Sequence, residues 1–280
     1  MEFFGSFRHR ASSATRPAAS GTADSFRFRG YRGGVIPMHR ALTHFRLGFM
    51  NLVTAVFLCV FFSGLWLACL GWMCEFWKRI LAIGIRLLPL HAELAVADHR
   101  WTPYLRAPIP YPRIESVLPT AETWGLACGV TVLLLAASFF LPKKLIPAVY
   151  LLRGVLLVQG SALFYFAVMP ARFPHTPDSY MQGLVSSGMG LISIVPLLFA
   201  LTYYIFDFGL LKKAFLTATT MAHLALFLPL QVLLQALVLQ KTILFMPVLY
   251  LIFGMPVEVL FIVAFYAWGM SWLFRTTNGE

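Results

Sequence analysis

The chain has 280 residues, 59% of them hydrophobic and 12% charged, with a formal net charge of +11 and a mean hydropathy of +0.77. Soluble domains carry roughly 25% charged residues, so this composition excludes a soluble globular protein. The long apolar runs do not alternate in polarity, which excludes a transmembrane barrel and leaves an all-α, polytopic membrane fold.

The basic excess would suggest nucleic acid in a soluble protein. Here eight of the 22 Lys and Arg residues precede the first apolar run, where they serve to orient a membrane protein. No nucleic-acid partner is expected. The four cysteines, Cys59, Cys69, Cys74 and Cys128, lie in or beside apolar runs without metal-ligand spacing. They read as small packing residues, with a Cys74–Cys128 disulfide as the alternative, and neither a metal nor any other cofactor is expected.

Residues 1–46 are rich in Arg, Ser, Ala and Gly, with Glu2 and Asp24 the only acids. They read as a basic, disordered cytoplasmic tail, with Met38 an alternative start and a transit peptide a further reading. The rest, 47–275, reads as one transmembrane domain of six helices. Span 1 covers about Leu47 to Cys74 and is uncharged. The sizeable loop 75–122 follows. Its first part, Phe76 to Leu90, is expected to lie in the interface as an amphipathic helix. Its second part, Trp101 to Arg113, holds four prolines in ten residues, a density that forbids a helix and favours extended, polyproline-like backbone.

Span 2 covers about Thr123 to Leu141 and turns at Pro142-Lys143-Lys144; span 3 runs to Met169. A short loop, Pro170 to Gln182, carries Arg172, His175 and Asp178 before span 4 (Gly183 to Phe206), and Lys212-Lys213 precede span 5 (Ala214 to Leu239). The final stretch, Ile243 to Phe274, has Glu258 as its only charge and is too long for one upright span of about 20 residues. Gly254-Met255-Pro256 interrupts it, because glycine loosens the backbone and proline removes an amide donor. Both Lys-Lys turns fall on the side of the basic tail, so the N- and C-termini are expected in the cytoplasm and the 75–122 loop outside.

Ionisable residues at membrane depth raise a functional hypothesis. Arg153 lies in span 3, where it can bind an anionic head group, pair with Glu258, or snorkel to the interface. His223, Gln231 and Gln235 share a polar stripe of span 5 with Thr217, Thr219 and Thr220. Such a stripe serves as interhelical glue or as a proton relay. Glu258 opens the last helix, where free amides and the dipole favour a carboxylate, and where a broken helix is tolerated only beside protein or a water-filled cavity. At the outer surface, Trp101, Tyr104 and Tyr111 are candidates for docking a partner or a sugar, and His175 and Asp178 for a catalytic base.

Enzyme motifs are otherwise missing: Asp207-Phe208-Gly209 lacks the Gly-rich and catalytic loops of a kinase, and no nucleotide-binding glycine pattern occurs. Ser186-Ser187-Gly188 in span 4 and His223 in span 5 resemble a rhomboid protease in outline, but no glycine precedes the serine correctly and the histidine is on the wrong span. The resulting expectation is a multi-pass protein of a bacterial-type inner membrane. It touches lipid and other membrane or envelope proteins, as a non-catalytic subunit or accessory of envelope export or assembly. A proton-coupled or small-solute transporter using Glu258, His223 and Arg153 is the alternative, and a membrane-embedded transferase the third.

Overall fold

A computed structural model describes residues 49–102, 105–142, 145–203 and 209–276. The basic tail, Met38, Tyr104, Lys143, Lys144 and both chain termini lie outside the described residues, as does Asp207.

Helix α1 (Phe49–Leu87) is one unbroken helix of 39 residues, about 58 Å long at 1.5 Å per residue. The separate interfacial helix expected over 76–90 is therefore not formed. No proline interrupts 49–87, and Glu75 pairs with Lys78 and Arg79 one turn on, at 3.5 and 3.9 Å, which keeps the helix running past its apolar part. One stripe of α1, from Ala55 through Phe62, Trp66, Cys74, Trp77 and Leu81 to Gly84, is buried. It packs against α4 (Pro177–Thr202) and α5 (Leu210–Leu239).

Two tryptophans lock this contact. Trp66 Nε1 donates to Ser193 Oγ at 2.8 Å, and Trp77 Nε1 donates to the Ala225 carbonyl at 2.7 Å. The second bond has a cause in the sequence. Pro229, inside α5, lacks the amide that would bond the carbonyl four residues back, which is that of Ala225. Trp77, from another helix, satisfies it.

The proline-rich segment is extended, as expected, but it is paired rather than polyproline-like. Strands β1 (Ala92–Thr102) and β2 (Leu105–Ile114) form an antiparallel hairpin, so the chain is mostly helical with one small sheet added. Pro108, Pro110 and Pro112 stand opposite Asp98, Val96 and Leu94. Alternate residues of a strand share one edge, so all three missing amides fall on the same edge of β2. The ladder to β1 then runs through the residues between them and loses no donor. Ala107, Ile109 and Tyr111 alternate with these prolines and are buried in the main core, against α1 and α4. The free cysteines include a buried Cys74, so no disulfide joins it to Cys128.

Helices α2 (Ala121–Ala137) and α3 (Ile146–Val168) pair with each other. The loop before α4 is shorter than expected. Thr176 caps that helix by accepting from Ser179 N at 3.2 Å, with Pro177 in the first turn. Beyond α5 the chain forms a short helix α6 (Met246–Leu251), breaks, and continues as α7 (Met255–Thr276). Among the described residues five helical stretches are long and apolar enough to cross a membrane, and α2 is a shorter apolar helix. Large apolar side chains such as Phe57, Leu133, Leu157, Leu230 and Leu260 stand exposed along them; together these faces need lipid, as a multi-pass membrane protein provides.

Candidate functional site at the interrupted helix

The break between α6 and α7 requires Gly254. A Cβ there would lie 2.7 Å from the Tyr250 carbonyl oxygen, a backbone atom that cannot yield. Interrupting a helix inside a bilayer frees carbonyls that must find donors, and α5 supplies them. Gln231 Nε2 donates to the Phe253 carbonyl at 2.7 Å and to that of Gly254 at 3.3 Å. One turn along, Gln235 Nε2 also donates to Phe253, at 2.5 Å. Tyr180, near the start of α4, donates its hydroxyl to Gln235 Oε1. Three helices thus converge on one opened turn.

Glu258 lies one turn past Gly254 and is buried, 3% exposed. Its carboxylate rests on Gly188 of α4: a Cβ at 188 would be 3.0 Å from Glu258 Oε1 and 2.5 Å from Leu228 Cδ1. The bare glycine makes room for the carboxyl group. Among the described residues Glu258 Oε1 has no hydrogen-bond partner, and neither has Gln231 Oε1. Two buried oxygens near the same break are therefore open to a donor, a costly state in an apolar surround.

His223 lies further along the same α5–α7 seam but in a different setting. It stacks with Phe227 and meets Phe261 and Phe265 edge-on, with ring centroids 4.6 and 5.2 Å away. Its Nε2 is buried and unpartnered. Two threonines of the expected stripe bond backbone within α5, Thr217 to the Lys213 carbonyl and Thr220 to that of Leu216, at 3.0 and 2.8 Å, and Thr217 Oγ1 also shares a hydrogen bond with the Tyr203 hydroxyl. The stripe therefore splits into a glutamine end at the break, an aromatic-caged histidine and a threonine end.

Arg153 is not part of this site. Its Nε donates to Ser138 Oγ at 3.3 Å and its guanidinium lies 4.6 Å from the Phe139 ring, both just past the end of α2. At the hairpin end, Asp178 pairs with Arg113 of β2 at 3.8 Å, too long for a hydrogen bond. His175 is exposed, edge-on to Phe173, and lines a cavity of about 500 Å³ with Ser179, Tyr180 and Tyr250. Tyr111 was expected at the outer surface but is 6% exposed, because the period-two alternation of β2 turns it to the core with Ile109. Trp101 lies in β1.

Sequence reasoning missed Tyr180 and read Gly188 and Lys213 in other roles. Tyr180, Leu184 and Gly188 recur every four residues, the spacing of one helix face, and that face meets the break. Lys213, expected in a solvent-facing turn, is 1% exposed beneath the Tyr203 ring. No family model matches the chain, and neither a curated protein nor a solved structure matches it.

Proposed function

We propose that the chain is a non-catalytic integral subunit of an inner-membrane assembly serving an envelope process, such as export or assembly of a polymer or lipid-linked product. In this reading it crosses the membrane six times, with α2 and α3 as separate spans, both termini in the cytoplasm and the hairpin outside. The positive-inside rule supports that orientation.

The observation that carries the proposal is the open edge of β1. Among the described residues this strand pairs with β2 alone. Leu94, Val96 and Asp98 stand opposite the three prolines, so their amides point away from the ladder, and Val96 and Asp98 are exposed. An unpaired edge is a template for a strand of another chain. Here it is carried at one end of a helical bundle, with Glu93 and Asp98 to keep it soluble.

The test is Val96→Pro, which deletes an edge donor without touching the β1–β2 ladder. A photocrosslinker at Asp98, with one at Phe140 as control, should capture a defined membrane or envelope partner in cells. Val96→Pro should abolish that capture at unchanged abundance. Equal capture in Val96→Pro, or equal capture from Phe140, overturns the proposal.

Transport is the second reading, favoured by the two unpartnered oxygens of Gln231 and Glu258 beside the break. It requires Glu258→Gln to abolish function at normal abundance. The subunit reading requires that variant to retain at least partial function, since glutamine keeps most of the hydrogen-bonding capacity.

A further inference from the structure

Between α2 and α3 runs a crevice of about 630 Å³, inside the range of roughly 300–1,000 Å³ typical of small-molecule sites. Trp124 and Leu163 close one end, where Trp124 Nε1 donates to the Leu163 carbonyl at 3.0 Å. Arg153 and Phe139 stand at the other. From Trp124 to the end of α2 at Ala137 the distance along the helix is about 20 Å, more than half of the ~30 Å hydrocarbon core. The walls are apolar; the one hydroxyl among them, Thr131, is already bonded to the Ala127 carbonyl at 2.7 Å.

Arg153 is the charged group of this crevice, and its charge is uncompensated. An arginine side chain is cationic under all physiological conditions and offers five donors. Only Nε is engaged, at 3.3 Å, by a neutral hydroxyl. Among the described residues no carboxylate pairs with it. Between Glu122 and Asp178 the sequence contains no acidic residue.

We infer that the α2–α3 crevice is a binding site for an anionic phospholipid, with the phosphate on Arg153 and an acyl chain along the apolar walls toward Trp124. Arginine matches phosphate oxygens with paired donors, and basic pockets between transmembrane helices recognise anionic head groups. Arg153 is half-buried and level with the end of α2, so the six-span arrangement proposed above would bring its head to the membrane interface, where such head groups lie. The site is independent of the edge-strand proposal above, since it shares no residue with the hairpin.

Gly160 gives a test that spares the fold. It lines the crevice, and a Cβ there meets nothing within 4 Å, so Gly160→Leu starts in open space and sends its side chain into the cavity. Purified protein in mild detergent is titrated with phosphatidylglycerol or phosphatidylethanolamine, and bound lipid is counted by native mass spectrometry. The full-length protein should retain phosphatidylglycerol at least ten-fold better than phosphatidylethanolamine. Arg153→Gln should remove that preference, and Gly160→Leu should lower retention of both lipids while the protein stays monodisperse. Undiminished phosphatidylglycerol retention in both variants, or equal retention of the two lipids by the unaltered protein, overturns the inference and leaves non-specific lipid contact only.

Discussion

In their most apolar stretches α4 and α5 bury 50% and 56% of their residues, whereas α3 buries 28%, and the only buried residue of α2 is Ala127. Hydropathy barely separates them: the means are 2.1 and 2.0 for α4 and α5 and 1.7 for α3. In a bilayer, apolar character does not drive helices together, because lipid tails are as apolar as leucine. What distinguishes α4 and α5, and the faces of α1 and α7 set against them, is close approach at glycines and polar contacts that cross between helices, although α1 as a whole buries only 22% of its most apolar stretch. Gly84 admits Leu233, Gly188 admits Leu228 and Glu258, and Gly269 admits Leu216. Tryptophan and glutamine donors meet carbonyls that prolines and the helix break have freed. The α2–α3 pair has glycines too, but Gly125, Gly129, Gly154 and Gly160 face open space.

The strongest way to break this comparison is to place the same substitution in both regions. Gly254→Ala drives a Cβ into the Tyr250 carbonyl and should cost about 1–3 kcal/mol, the range for overpacking. Gly160→Ala should be neutral or stabilising by up to about 1 kcal/mol, since alanine is the better helix former. Thermal unfolding in detergent, followed by gel filtration, reads both; equal effects would mean that the two regions are packed alike.

Trp77→Phe comes next. It leaves the Ala225 carbonyl without its donor at a site where Trp77 is 1% exposed, and an orphaned buried acceptor costs about 1–3 kcal/mol. Trp124→Phe removes a similar bond from a half-buried indole, and its target carbonyl, inside α3, keeps the helix amide four residues on. Its melting temperature should fall distinctly less than that of Trp77→Phe.

Gln231→Leu should have a smaller effect, about 1 kcal/mol, because Gln235 still donates to the Phe253 carbonyl and the Val257 amide to that of Gly254. The double variant Gln231→Leu with Gln235→Leu should exceed the sum of the single changes, as the carbonyl then loses its last donor. Strict additivity in a thermal double-mutant cycle would show that the glutamines do not cap the break jointly. The smallest effect belongs to Arg113→Ala. Its partner Asp178 is 3.8 Å away and both side chains reach solvent, so the loss should stay below about 1 kcal/mol and shrink further in high salt.

The sequence by itself determined the class of this protein and the location of its break. Bilayer thickness sets helix length, and the lack of polar runs within 49–74, 183–203 and 214–239 leaves few other folds. Gly254 and Pro256 carry their backbone consequences locally, so the interruption could be read from three letters. The length of α1 past Cys74 could not, because nothing in a run of Phe, Lys and Arg says whether a helix lies on the interface or projects beyond it. The hairpin was hidden for a related reason. Proline density forbids helix, but whether an extended segment pairs depends on a partner strand ten residues earlier and on all three prolines sharing one edge.

For the candidate site, the sequence named Gln231, Gln235 and Glu258 because polar groups at membrane depth are conspicuous. What they touch was decided only in three dimensions. Tyr180 and Gly188 come from a different helix, Arg153 is drawn to α2 by Ser138 and Phe139, and His223 is enclosed by phenylalanines of α7 and its own helix. Contacts between helices arise from side-chain shape at particular crossings, and no periodicity within a single helix encodes which neighbour will fill the space beside it.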